Sequence, residues 1–161
     1  MITGCIDTGI FFCVIFKESG YEYCKKLLDD VYYNKIRGVI STIQLSELYT
    51  PFRRAGDFKS LEIIKAELFK LNLKVRNVDE EVADLSSIYR SSVKTPDDKW
   101  LPLADSIILA TAVAEEVDVL YTIDIDFYNV KDLKIMAPGM GLVEWVRKYG
   151  TQRQKQVLGL L

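Results

Sequence analysis

The sequence predicts an α/β fold, a parallel sheet with helices on both faces. Two observations predict it. Short apolar runs alternate with stretches of helical 3–4 periodicity along the chain. Its 161 residues are enough for one well-buried core, with no internal repeat or low-complexity tract to divide them.

Ile2–Ile6 is the first apolar run and reads as a buried strand, closed by Asp7-Thr8-Gly9. Ile10–Phe16 reads as a first helical turn or two, broken by Lys17-Glu18-Ser19-Gly20. Tyr21–Tyr33 is amphipathic, with Cys24, Leu27, Leu28 and Val31 on one side. Val39-Ile40 is the core of a second strand. Ser41 with Gln44 then matches a capping box for a helix over 42–54. Leu45, Leu48 and Phe52 share one side of that helix, Glu47 lies within it, and Pro51 conflicts with it. Asp57 caps a helix through Leu71, with Leu61, Ile64, Leu68 and Leu71 as its stripe. A third strand lies within 73–78. Asp79 caps a helix through Tyr89 with Val82, Leu85 and Ile88 inward. Residues 91–100 form a loop. A helix over 102–114, a strand over 117–121, a turn at 123–127 and a last strand over 133–137 follow. The final helix, over 139–149, packs Leu142, Val143 and Val146. A mixed tail, 150–161, is readable as a loose basic arm or as a packed segment.

Composition removes several chemistries. There is no histidine, which excludes histidine bases, histidine triads and most zinc sites. A metal held by these side chains would take oxygen ligands, which suits Mg²⁺ or Mn²⁺. The net charge of −2 gives a nucleic-acid partner no general basic field, although an acidic metal site supplies negative charge by itself. No run approaches the length of a membrane helix, and the apolar N-terminus lacks a basic n-region. The three cysteines have no CxxC spacing and read as reduced thiols of a cytoplasmic protein, core hydrophobes rather than nucleophiles. Trp100 and Trp145 read as packing anchors. The loop position of Trp100 leaves base stacking open.

The stretch 102–127, PLADSIILATAVAEEVDVLYTIDIDF, carries the chemistry. Asp105 opens an otherwise apolar helix, where its dipole favours a carboxylate. Asp124 and Asp126 follow the next strand, as Asp7 follows the first, and ligands of open α/β sheets bind beyond such strand ends. Glu47 lies one turn into the helix after Ile40. Converging carboxylates repel one another, and a divalent cation removes that penalty. Thr8, Ser106 and Thr122 are hydroxyls placed to bond ligands, water or phosphate. Singly, each acid also has a plain reading: Asp7 and Asp124-Ile125-Asp126 as turns, Asp105 as a helix-start charge, Glu47 as a solvated side chain.

Four segments in order resemble the PIN domain family, and within it the VapC-type toxin ribonucleases: CIDTG at 5–9, STIQLSELY at 41–49, LADSIILATA at 103–112 and YTIDIDF at 121–127. The resemblance covers roughly 1–149. It implies a PIN-like nuclease domain there and a C-terminal tail at 150–161. The implied architecture is a three-layer α/β/α domain around a mainly parallel five-stranded sheet. The implied activity is Mg²⁺- or Mn²⁺-dependent hydrolysis of RNA phosphodiester bonds. Asp7, Glu47, Asp105 and Asp124 take the family's catalytic and metal-binding positions, Asp126 is an accessory ligand, and Thr122 matches the usual small hydroxyl. A homodimer and an antitoxin partner are implied as well. The loop at 91–100 and the tail depart from a small toxin, which leaves open an RNA maturation or decay nuclease without an antitoxin. An inactive RNA- or protein-binding module is the remaining alternative. A haloacid dehalogenase-type phosphatase would want an aspartate where Gly9 stands.

Overall fold

The computed structural model describes every residue from Met1 to Leu161. Five strands, β1 (Ile2–Ile6), β2 (Ile36–Ser41), β3 (Lys74–Arg76), β4 (Val119–Tyr121) and β5 (Ile135–Met136), form one sheet. Their order is β3-β2-β1-β4-β5, and every pairing is parallel. The helices are α1 (Thr8–Ile15), α2 (Tyr21–Tyr32), α3 (Thr42–Arg54), α4 (Phe58–Lys70), α5 (Glu80–Ser92), α6 (Leu103–Ala114), α7 (Leu142–Tyr149) and α8 (Gln152–Val157). The architecture is the expected three-layer α/β/α domain.

Side-chain alternation along the strands divides the core in two. Cys5, Val39 and Leu120 point to one face and pack with Val82, Tyr89, Ile108 and Leu109 of α5 and α6. Ile6 and Ile40 point to the other and pack with Ile10, Leu27, Val31, Leu48 and Trp145. Burying each such aliphatic side chain contributes about 1.5–3 kcal/mol. Residues 106–112 of α6 are all buried, because β1, β2, β4 and α5 surround that helix. Its lack of an outward polar face follows from this position.

Local sequence and tertiary contact meet most closely at the start of α3. Gln44 completes the Ser41 capping box by accepting the Ser41 N–H at 2.9 Å. The same amide donates to the carbonyl of Ile6 at 2.6 Å. That bond pins the first turn of α3 to the end of β1, so Glu47, one turn on, faces the residues that follow β1. Pro51 does not end the helix. It lies near the C-terminus, where its missing N–H leaves one carbonyl, that of Glu47, without its helical donor.

Several expectations change. Asp7 caps α1 by accepting the Thr8 N–H, so the helix begins at Thr8 and 7–9 is not a separate turn. Ile88 does not face inward. It is 52% exposed, whereas Val82, Ser86 and Tyr89 are buried. The reason is a hydroxyl pair: Ser86 and Ser106 Oγ lie 2.8 Å apart between α5 and α6, and small side chains there bring the helices together. Trp145, 3% exposed, anchors α7, while Val143 is half-buried. Trp100 is no core anchor, at 54% exposure. The 91–100 loop is ordered: α5 reaches Ser92, and Lys94 bridges antiparallel to Trp100. The tail forms α8, started by a Thr151/Gln154 capping box, with Val157, Leu158 and Leu160 half-buried. No helix is long and apolar enough to cross a membrane.

Candidate metal centre

The central pairing of β1 with β4 places the two acid-bearing strand ends side by side. Ile6 is in register with Tyr121, and the Asp7 N–H donates to the Tyr121 carbonyl at 2.9 Å. One residue beyond, Thr122 and Asp7 meet. Thr122 Oγ1 donates to Asp7 Oδ2 at 2.7 Å and accepts the Asp124 N–H at 2.9 Å. Asp7 Oδ1 accepts the Thr8 N–H at 2.9 Å. Asp124 Oδ1 accepts the Asp126 N–H at 2.9 Å, capping the 3-10 turn Ile125–Phe127. That turn directs Asp126 back toward the strand ends.

Asp105 enters from the first turn of α6. Carboxylate oxygens of Asp105, Asp124 and Asp126 all lie within 4.8 Å of one another. Glu47 joins from the opposite side, where its Oε1 accepts the Thr8 hydroxyl at 2.8 Å. The two threonines therefore hold Asp7, Glu47 and Asp124 in one hydrogen-bonded frame. Ser106 does not join the acids. Fully buried, it donates to the Leu103 carbonyl at 2.7 Å and pairs with Ser86, so it faces α5 and not the acids.

The acids disturb one another. Burial pushes Asp7, 5% exposed, up to a pKa of about 7. The Thr122 hydrogen bond opposes that shift, and the charges of Asp124 and Glu47 add to it. Asp105 is raised further, to about 8, first by burial and then by the charges of Asp124, Asp7 and Asp126. Burial also raises Asp124 and Asp126. Without a cation, this cluster reduces its charge by holding protons. An all-oxygen donor set whose acids are all shifted toward their protonated forms fits a hard divalent cation, which would compete with protons for the same oxygens.

Asp126 therefore stands inside the closest trio, although the sequence makes it an accessory. Asp7 stands beside the trio, joined to it through Thr122. Two contributions are invisible in the sequence: the second bond of Gln44, and Lys99, which approaches Asp126 from the 94–100 segment and opposes its upward shift. The apolar cavity of about 490 Å³ between α1, α2, α3 and α4 contains none of these acids in its lining.

Thr122→Val would remove the donor to Asp7 and the acceptor for the Asp124 N–H together. The expected result is a 10–100-fold weaker Mn²⁺ affinity, the usual scale for a partner behind a ligand. Titration calorimetry measures it, and unchanged affinity would show that the hydroxyl does not organise the acids.

Residues 4–133 match the family model described as the PIN domain. The chain belongs to the PIN domain family. Domains of this family are generally nucleases. Three solved structures share the fold of this PIN domain. A chain of VapBC2 from Rickettsia felis, bound to a DNA fragment from their promoter, aligns with TM-score 0.67 and 19% identity over 84% of this chain and 98% of that one. DNA-bound VapBC from Salmonella typhimurium gives 0.65 and 18% over 85% and 98%. A toxin–antitoxin complex from Klebsiella pneumoniae gives 0.61 and 20% over 85% and 98%. At these identities the likeness is one of fold. No curated protein matches the sequence.

Proposed function

We propose that this PIN domain is a Mg²⁺- or Mn²⁺-dependent endoribonuclease that hydrolyses RNA phosphodiester bonds as the toxin of a toxin–antitoxin pair. The carrying observation is the convergence of three carboxylates within 4.8 Å, with Asp7 and Glu47 tied beside them through Thr122 and Thr8. Asp7, Asp105, Asp124 and Asp126 are the ligands in this reading. A cation held by these carboxylates would supply a lowered pKa for a water, orientation of the scissile phosphate and neutralisation of charge developing in the transition state. Glu47, held at Oε1 by Thr8, keeps Oε2 for orienting that water or accepting its proton. Thr122 fixes the spacing of Asp7 and Asp124, and the buried α6 fixes Asp105 against both. In-line attack on phosphorus leaves a 5′-phosphate and a 3′-hydroxyl.

The VapBC complexes among the fold neighbours support an antitoxin that covers the acids, and a homodimer completes this reading. Roughly one sixth of the chain lies outside each alignment, α8 lies beyond the family match, and these additions favour a second reading, an RNA maturation or decay nuclease without an antitoxin. A neighbouring gene for a small antitoxin-like protein distinguishes the two.

The enzymatic reading is tested on pools of single-stranded RNA and DNA with Mg²⁺, Mn²⁺ or EDTA. The expected products are RNA fragments with 5′-phosphates, formed only with metal. Cleavage that survives EDTA, or no cleavage of either pool, would overturn it.

A further inference from the structure

The 94–100 segment is built more firmly than a connecting loop requires. Its ends are bridged between Lys94 and Trp100, and the Leu101 N–H donates to the Val93 carbonyl at 3.1 Å. Across the tip, the Thr95 N–H donates to the Lys99 carbonyl at 2.7 Å, and Thr95 Oγ1 donates to Asp97 at 2.6 Å. Leu101, buried at the foot, leads directly into α6 and Asp105. Asn129 Nδ2, just past the turn that carries Asp126, donates to the Lys94 carbonyl at 2.9 Å. The hairpin is thus fastened to both segments that supply the acids.

It nevertheless presents a large aromatic ring to water. Trp100 is 54% exposed, with Lys94 Nζ 4.2 Å from the ring centroid. Lys94 pairs with Asp98, itself 90% exposed, at 3.6 Å. Lys99 and, from α8, Arg153 lie 3.5 Å and 3.9 Å from Asp97. Exposed pairs of this kind are worth little and exchange readily for a stronger anion. An exposed indole flanked by loosely held cations, beside carboxylates that would hold a metal on a scissile phosphate, suits an unpaired nucleotide. The base finds a π-face, and the adjoining phosphates find ammonium and guanidinium groups.

We propose that the 94–100 hairpin is the substrate platform of this enzyme: Trp100 stacks one unpaired base of single-stranded RNA next to the cleaved bond, while Lys94, Lys99 and Arg153 hold the neighbouring phosphates. This rests on the ribonuclease reading above and adds to it a requirement for unpaired RNA and a specificity-determining residue. Lys94 leaves the ring for phosphate when the base arrives, its partner Asp98 being solvated.

Binding tests the platform independently of turnover. Fluorescence polarisation of a labelled mixed-sequence single-stranded RNA is measured on the full chain carrying Asp105→Asn, with and without Trp100→Ala, Trp100→Tyr or Lys99→Gln. Trp100→Ala is expected to weaken binding about tenfold, the scale of one stacked base, and Trp100→Tyr to restore most of it. The tryptophan emission of the parent should fall when RNA binds. Trp100→Phe should lose that response, because Trp145 is buried. Duplex RNA should bind less well than single strands. Unchanged RNA affinity in Trp100→Ala, or quenching that persists in Trp100→Phe, overturns the platform even if the wild type cleaves RNA. Trp100→Ala that binds RNA normally but no longer binds a protein partner overturns it as well, by making the ring a protein contact. If the platform behaves as expected and the wild type still cleaves nothing, the nuclease reading fails and the RNA site stands.

Discussion

Asp105→Asn is expected to reduce metal-dependent RNA cleavage by at least about a hundredfold and, in the same protein, to raise the melting temperature without metal. Both effects follow from one geometry. Asp105 is buried and feels the charges of Asp124, Asp7 and Asp126. Removing its charge takes one oxygen ligand from the cluster and with it part of the several kcal/mol that a bound cation can supply to the transition state. It also removes a carboxylate that burial and like charges penalise when no metal is present. Relief of about 1 kcal/mol corresponds to roughly 2–4 °C for a domain of this size. Cleavage kinetics and thermal unfolding in EDTA read the two effects. Wild-type activity in the variant would remove Asp105 from the site. Lost activity with a lower melting temperature would make it a structural residue.

The second large effect is the dependence of stability on pH and on metal. Asp7 ionises near 3.8 in the unfolded chain and at about 7 in the folded one. Between those values the folded protein binds more protons than the unfolded chain, so stability falls as pH rises. Asp105 and Asp124 are shifted in the same direction and add to the slope. From pH 5 to pH 7, Asp7 alone corresponds to about 2 kcal/mol, or roughly 4–8 °C. In EDTA the melting temperature should therefore drop between pH 5 and pH 8. Saturating Mg²⁺ or Mn²⁺ should restore it at pH 8 and do little at pH 5, because protons and cation compete for the same oxygens. A flat profile in EDTA, insensitive to metal at pH 8, would contradict the clustered-acid description.

Much of this arrangement is legible in the residues, and the illegible parts share a cause. Four of the five strands fall at short apolar runs because a sheet covered on both faces needs apolar strands, whereas the edge strand β3 is Lys74-Val75-Arg76 with no buried residue. Their lengths are less legible, since β4 and β5 have only three and two residues in the ladder and are bounded by tertiary pairing. Asp7, Glu47, Asp105 and Asp124 stand out because acids at strand ends and helix starts are chemically conspicuous. Ser106 misleads for the opposite reason. A hydroxyl beside an acid looks functional, yet helical geometry sends adjacent side chains in different directions. The same Ser86–Ser106 contact turns Ile88 outward, and hydrophobic periodicity does not register a buried hydroxyl pair. Asp126 gains its place in the trio from the 3-10 turn capped by Asp124, a feature of backbone path rather than of composition.

The strand order also sets a timetable. β1 lies in the middle of the sheet, and the chain builds outward through β2 and β3 before returning to lay β4 on the other side. Asp7 is made before Asp124 and Asp126, which follow more than a hundred residues later. At about 5–20 residues per second, roughly ten seconds of synthesis separate the two halves of the acid cluster. Until β4 docks against the open edge of β1, a nascent chain has half a cluster. The topology that assembles the site also withholds it from an unfinished protein.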